Sequence, residues 1–172
     1  SATDKLGPPV SARPVVSYTT PRDIIPLGHR LVTRKSISAA DLTDERFISL
    51  GWEDRFRHLI DQVFETATVA RKLVIETPLS EVACSFVAGG AGVSIVDPFT
   101  AQEFAARKVL AVRPFAPGVP FHIYLLWPRF KERSEMAIAF ARHLRVAMFA
   151  EGEPMKSAVV QTEASGRGAR TP

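Results

Sequence analysis

The stretch Val87–Pro98, VAGGAGVSIVDP, sets glycines at 89, 90 and 92 and then runs directly into apolar residues. Such a stretch is either a phosphate cradle or the end of a helix. A dinucleotide fingerprint needs G-x-G-x-x-G after a strand and at the opening of a helix. Gly90-Ala91-Gly92 would require its third glycine where Ile95 stands, and the order here is helix, glycines, strand. The glycines therefore read as a helix stop, with Gly89 or Gly90 in the left-handed conformation that closes a helix without steric penalty. Val93–Val96 then reads as a strand buried on both faces, because it is continuous and apolar. Asp97-Pro98 ends it.

Upstream, Leu79, Val82, Ala83, Phe86, Val87 and Gly90 recur at the helical interval, and Thr77-Pro78 supplies an N-cap followed by a proline suited to the first helical position. Before it, Lys72–Glu76 reads as a strand. An amphipathic helix carries Phe56, Leu59, Ile60, Val63 and Phe64, with Glu53 and Asp54 at its positive end, and it follows the short apolar strand FISL at 47–50. Ser38 and Asp41 have the spacing of a capping pair around one short turn. The proline-rich segment 1–33 predicts extended chain and turns, with strands at Val15–Tyr18 and Ile24–Ile25 and no helix. Downstream, a weaker helix Thr100–Arg107 leads to strands Val109–Phe115 and Phe121–Trp127. Met136, Ala137, Phe140, Ala141, Leu144 and Met148 then mark a long amphipathic helix. There is no internal repeat.

Alternating strand and helix from 47 to 115 is the pattern of an α/β lobe with a mostly parallel sheet. Right-handed crossovers put the helices on its faces and the strand ends along one rim, where such lobes hold ligands. With 172 residues and an apolar fraction of 46%, the chain can fill such a core. No apolar run reaches the ~18 residues of a membrane span, and the N-terminus lacks the apolar heart of a secretion signal. Its charge of +4 comes from scattered residues, which fits a solvated surface better than a nucleic-acid footprint. Cys84 is the sole cysteine, so an internal disulfide is excluded and a reducing cytoplasm fits.

Catalytic chemistry is mostly missing. No Walker sequence or nucleophile elbow occurs. His29, His58, His122 and His143 are far apart and lack metal-site spacing, so no metal and no cofactor is expected. Cys84 sits among core positions of a helix, where thiols are usually inert. What remains are helix starts facing the rim: after Ser49-Leu50-Gly51, at Thr77-Pro78, and after Asp97-Pro98-Phe99-Thr100. Their unpaired N–H groups and dipole ends suit a carboxylate or similar anion. The alternative is that Ser49, Thr77 and Thr100 only cap their own helices, and both readings stand open at this point.

The ordered series PLGHRL (26–31), SAADL (38–42), ERFISL (45–50), VIETPLSEVACSFVAGGAGVSIVDPF (74–99) and VRPFAPGVPFHIYLLWP (112–128) resembles the effector-binding domain of LysR-type transcriptional regulators. The likeness covers roughly residues 5–150 and is nearest to regulators that sense opines or amino-acid derivatives. It implies a periplasmic-binding-protein-like α/β fold, with one complete subdomain and an incomplete second one. Residues 1–33 would be a partial first subdomain and 34–119 the second α/β subdomain. Residues 120–150 would be the crossing strand and C-terminal helix of the first, and 151–172 a disordered tail. The family's winged helix and linker helix have no counterpart in this sequence, so contact with DNA is expected only through a domain absent from the chain.

By position, the resemblance puts effector contacts at Ser49, Leu50, Thr77, Leu79, Asp97, Pro98 and Phe99, the places the rim selects independently. It implies a non-enzymatic, cytoplasmic sensor that binds a small organic anion or amino-acid derivative in an inter-subdomain cleft. It also implies a homodimer or higher oligomer, because the incomplete sheet exposes edges and apolar surface, and no membrane partner. A solute-binding receptor of a transport system with the same fold is the alternative. An α/β enzyme would need a clustered nucleophile, base or cofactor loop that the sequence does not offer.

Overall fold

Strand and helix alternate along the chain as the periodicities require. A computed structural model describes residues 10–18, 21–128 and 132–150. Its elements are β1 (Val10–Tyr18), β2 (Arg22–Pro26), a 3₁₀ turn (Arg30–Thr33), β3 (Ile37–Ser38), a second 3₁₀ turn (Ala40–Leu42), β4 (Arg46–Leu50), α1 (Arg55–Thr66), β5 (Lys72–Thr77), α2 (Ser80–Ala88), β6 (Val93–Val96), α3 (Pro98–Ala106), β7 (Leu110–Ala116), β8 (Phe121–Pro128) and α4 (Glu135–Ala150). The tail expected from 151 onward lies outside the described residues.

A six-stranded sheet has the order β3-β7-β2-β6-β4-β5, and a separate two-stranded sheet pairs β1 with β8 antiparallel. In the larger sheet β4 is parallel to both β5 and β6, and β3 is parallel to β7. Strand β2 alone runs the other way, between β6 and β7. The resemblance places residues 1–33 in the first subdomain, whereas strand pairing seats Arg22–Pro26 inside the six-stranded sheet. Pairing with β6 on one side and β7 on the other leaves Asp23, Ile24 and Ile25 at or near 0% exposure. A 3₁₀ turn at Arg30–Thr33 also stands where no helix was expected.

Helix α1 covers one face of the sheet, its Phe64 stacking on Phe115 and meeting Phe47 edge-on. Helices α2 and α3 cover the other, α2 lying over β2, β4 and β6. Strand β6 is buried at every position, as its continuous apolar run requires. Helix α2 starts two residues later than the Thr77-Pro78 signal indicates. Thr77 stays in the ladder opposite Leu50, so the extended Leu79 becomes the N-cap. The helix is also rotated: Ala83, Cys84 and Val87 are buried, while Leu79, Val82 and Phe86 are 56%, 37% and 40% exposed. Helix α3 begins at Pro98 rather than Thr100, because Asp97 caps it and Pro98 fills its first turn.

The glycine stretch does two separate jobs. Gly90 has φ +79° and ends α2 in a Schellman arrangement: its N–H donates to the Val87 carbonyl at 2.9 Å and that of Ala91 to the Phe86 carbonyl at 3.0 Å. At Gly92 a Cβ would overlap the carbonyl oxygen of Arg46, so only glycine lets β6 start flush against β4.

Urea unfolding should separate the two roles. Gly92→Ala is expected to cost more than about 2 kcal/mol, because main chain must move. Gly90→Ala, with open space around it, should cost only the left-handed backbone penalty of about 1–2 kcal/mol. Equal losses would contradict this assignment. Cys84 gives a second check, since burial, then the charges of Asp97 and Glu81, push its thiol up to about 12. The folded chain should resist a thiol reagent near about pH 8 and react fully once unfolded, because the thiolate is the reactive form.

Candidate functional site

Parallel strands deliver their carboxyl ends to one edge, and register fixes which residues meet there. Leu50 lies opposite Thr77, and Ile48 lies opposite Ser94, so the ends of β6, β4 and β5 stand side by side in that order. Asp97, Pro98 and Phe99 follow β6 directly, and Leu79 follows β5. The residues picked from sequence thus share one rim, but not one face. Successive strand residues point oppositely, so Ser49 lies on the α1 side while Leu50 and Thr77 lie on the α2 side. Ser49, Leu50 and Thr77 are 1%, 4% and 5% exposed, Pro98 is buried, Asp97 and Phe99 are half-buried, and Leu79 is exposed.

The helix starts differ in how their amides are used. Asp54, not Ser49, caps α1, accepting from the Phe56 N–H at 2.7 Å. Asp97, not Thr100, caps α3: its Oδ1 accepts from the N–H groups of Phe99 and Thr100 at 3.0 and 2.9 Å, and its Oδ2 accepts from the Thr100 hydroxyl at 2.7 Å. No side chain caps α2, where the Leu79 N–H reaches the Thr77 hydroxyl only at 3.4 Å. Two of the three helix starts that suggested an anion are therefore already met by carboxylates. Only α2 offers opening amides without a competing cap.

A hollow of about 460 Å³ sits at the ends of β4 and β5, lined by Gly51, Trp52, Glu53, Asp54, Glu76, Thr77 and Pro78. The two loops lie against each other at Gly51, where a Cβ would rest in van der Waals contact, 3.4 Å from Pro78 Cα. Arg57 clamps this region from α1: its Nη1 donates to the Leu50 carbonyl at 2.7 Å and to Glu76 at 2.8 Å, and its Nε donates to Asp61 at 3.1 Å. Burial opposes its charge, but Glu76 and Asp61 outweigh that and hold its pKa above the ordinary value. Asp61 also pairs with Arg71, whose guanidinium lies over the Phe64 ring.

Sequence reasoning missed Trp52, Glu53 and Glu76 as lining residues. The available signal was Asp54, an N-cap type two residues before the first apolar position of α1. A second hollow of about 410 Å³, between α1 and the segment 116–120, is lined by none of the expected contacts and by no charged side chain. Among the described residues, no group of His, Cys, Asp and Glu could hold a metal ion. His29 is engaged structurally, near Glu45 at 3.2 Å and accepting from the Leu31 N–H.

Known proteins share this architecture. The transcriptional activator protein LysR of Escherichia coli strain K12 is 36% identical over 125 residues, covering 73% of this chain and 40% of that protein. The octopine catabolism/uptake operon regulatory protein OccR of Rhizobium meliloti is 32% identical over 92 residues, covering 54% of this chain and 30% of that protein. Among solved structures, HinK, a LysR family transcriptional regulator from Pseudomonas aeruginosa, matches the fold with a TM-score of 0.68 at 20% identity, over 84% of this chain and 50% of that one. The chain thus spans less than half the length of the curated relatives it matches. With residues 14–148 matching its LysR substrate binding domain, this chain belongs to the family of effector-binding domains of LysR-type transcriptional regulators, with the periplasmic-binding-protein-like α/β fold.

Proposed function

We propose that the chain senses an opine-like amino-acid derivative at the carboxyl rim of β4, β5 and β6, and does no catalysis. The observation that carries this reading is the rim itself: Leu50 pairs with Thr77, which lines the hollow, next to a helix start without a side-chain cap, and the Asp97–Phe99 turn follows the neighbouring strand. Ser49, Leu50, Thr77, Leu79, Asp97, Pro98 and Phe99 are the proposed contacts. Charge favours an amino-acid derivative over a simple anion. Glu53, Asp54 and Glu76 line the hollow and would repel a ligand that carries only negative charge. A zwitterion brings an ammonium or guanidinium to those carboxylates and its own carboxylate to the amides of α2. The similarity to an octopine operon regulator supports the same class.

In the intact regulator, a ligand that prefers one arrangement of the lobes shifts the population of that arrangement, and a DNA-binding domain elsewhere reports the shift. Association between copies is part of this reading. Strand β5 is an edge strand with Leu73 and Val74 exposed, and the outward stripe Leu79, Val82 and Phe86 of α2 adjoins it. An edge flanked by exposed apolar residues is a pairing surface unless it is covered. No helix among the described residues is long and apolar enough to cross a membrane.

Titration calorimetry against opines, free amino acids and aromatic acids tests the ligand class. An opine or amino acid should release heat, and Thr77→Val should weaken it about tenfold, the effect of one lost buried hydrogen bond. Binding of aromatic acids alone would overturn the zwitterion reading. Sedimentation should show self-association that Phe86→Asp abolishes; an unchanged sedimentation coefficient would remove β5 and α2 as the association face.

A further inference from the structure

Asp23 is the most unusual side chain in the described molecule. It lies in the interior strand β2, is 1% exposed, and neither of its carboxyl oxygens has a hydrogen-bond partner. Its cross-strand neighbours are Ile95 on β6 and Arg113 on β7, and directly opposed residues share a face. Arg113 nevertheless makes no bond to it. Its Nε donates instead to the carbonyls of Val32 at 3.0 Å and Arg34 at 2.8 Å, stapling the first 3₁₀ turn to the sheet.

We propose that Asp23 and Arg113 form a proton-controlled switch: protonated Asp23 leaves Arg113 on the Arg30–Arg34 turn, and loss of that proton to bulk base draws Arg113 to the carboxylate and releases the turn. A dry site penalises an isolated charge far more than a neutral acid, so ionisation there demands a counter-ion. The other charged groups around Asp23 do not serve. Asp41, on the second 3₁₀ turn, is held ionised by its bonds from the Ser38 N–H and hydroxyl and opposes a second negative charge. Arg34 pairs with Asp41, and Arg30 with Glu45. Arg57 of α1 is tied to Glu76, Asp61 and Leu50. Arg22, next in the chain, points to the opposite face, where α2 and α3 present buried Ala83, Cys84, Val87, Ala101 and Phe104. Arg71, over the Phe47 and Phe64 rings on this face, pairs with Asp61, whereas Arg113 is the cation directly opposite Asp23 in the ladder.

Burial, then the charge of Asp41, raises the Asp23 carboxyl well above its ordinary value. The folded chain therefore binds this proton more tightly than the unfolded one. The stability that Asp23 contributes is fullest below the ordinary carboxyl value and falls as pH climbs towards the folded pKa, about tenfold in the folding equilibrium per pH unit.

The test is NMR of the full chain from about pH 5 to about pH 9. The Arg113 Nε–H signal should move with the same midpoint as the Asp23 carboxyl carbon. Over that step, protection of the Arg34 amide, which donates to the Leu31 carbonyl, should fall about tenfold beyond ordinary base catalysis. In Asp23→Asn both responses should vanish, and the urea midpoint should no longer fall with pH. A flat Arg113 signal in the wild type, or the same movement in Asp23→Asn, would overturn the switch. If Asp23→Asn does not fold, the wild-type titration decides alone: coincident midpoints support the switch and separate ones refute it.

Discussion

One backbone contact organises the molecule: the start of β6 lies flush against the carbonyl of Arg46 because position 92 has no side chain. That approach sets Val93 beside Phe47 and Ser94 beside Ile48. Three residues on, the same register brings the end of β6 level with Leu50 and hence with Thr77. Strand β6 is also the neighbour of β2, the one reversed strand, so the interior of the six-stranded sheet is built around it. Any outward shift of β6 would open the sheet and separate Asp97 from the other strand ends.

Strand ends brought together in this way do not make a uniformly electropositive rim. Asp54 and Asp97 neutralise the starts of α1 and α3, which stabilises those helices by about 1 kcal/mol each. The same bonds leave carboxylates beside the opening, so affinity for a bare anion is given up at those two points. Helix α2 has no side-chain cap, and its first turn is correspondingly the place where a ligand's carboxylate gains most. The zwitterion we propose as ligand is argued from this unequal capping more than from any single side chain.

Much of this was legible in the sequence because it rests on local periodicity. The helical intervals of α1, the continuous run of β6, the capping pair Ser38 and Asp41, and the Gly90 helix stop are all encoded within one or two turns of chain. Alternation of strand and helix indicated the α/β lobe and its rim, and the resemblance added the periplasmic-binding-protein-like arrangement. What was not legible depends on partners distant in sequence. Thr77 looks like an N-cap until Leu50 claims it for the ladder, and Phe86 looks like core until α2 is seen rotated onto Ala83, Cys84 and Val87. The seat of β2 inside the sheet, and with it the isolation of Asp23, depends on pairing with strands some seventy and ninety positions away, such as Ile95 and Arg113. No local pattern specifies such pairing.

Cross-strand NOEs in the labelled full chain test the rim most directly. Contacts between Leu50 and Thr77 and between Ile48 and Ser94 are expected together, with Asp97 adjoining the end of β4. A register displaced by one residue at either pair would turn the buried face of that strand outward, part the three strand ends, and contradict the placement of the site.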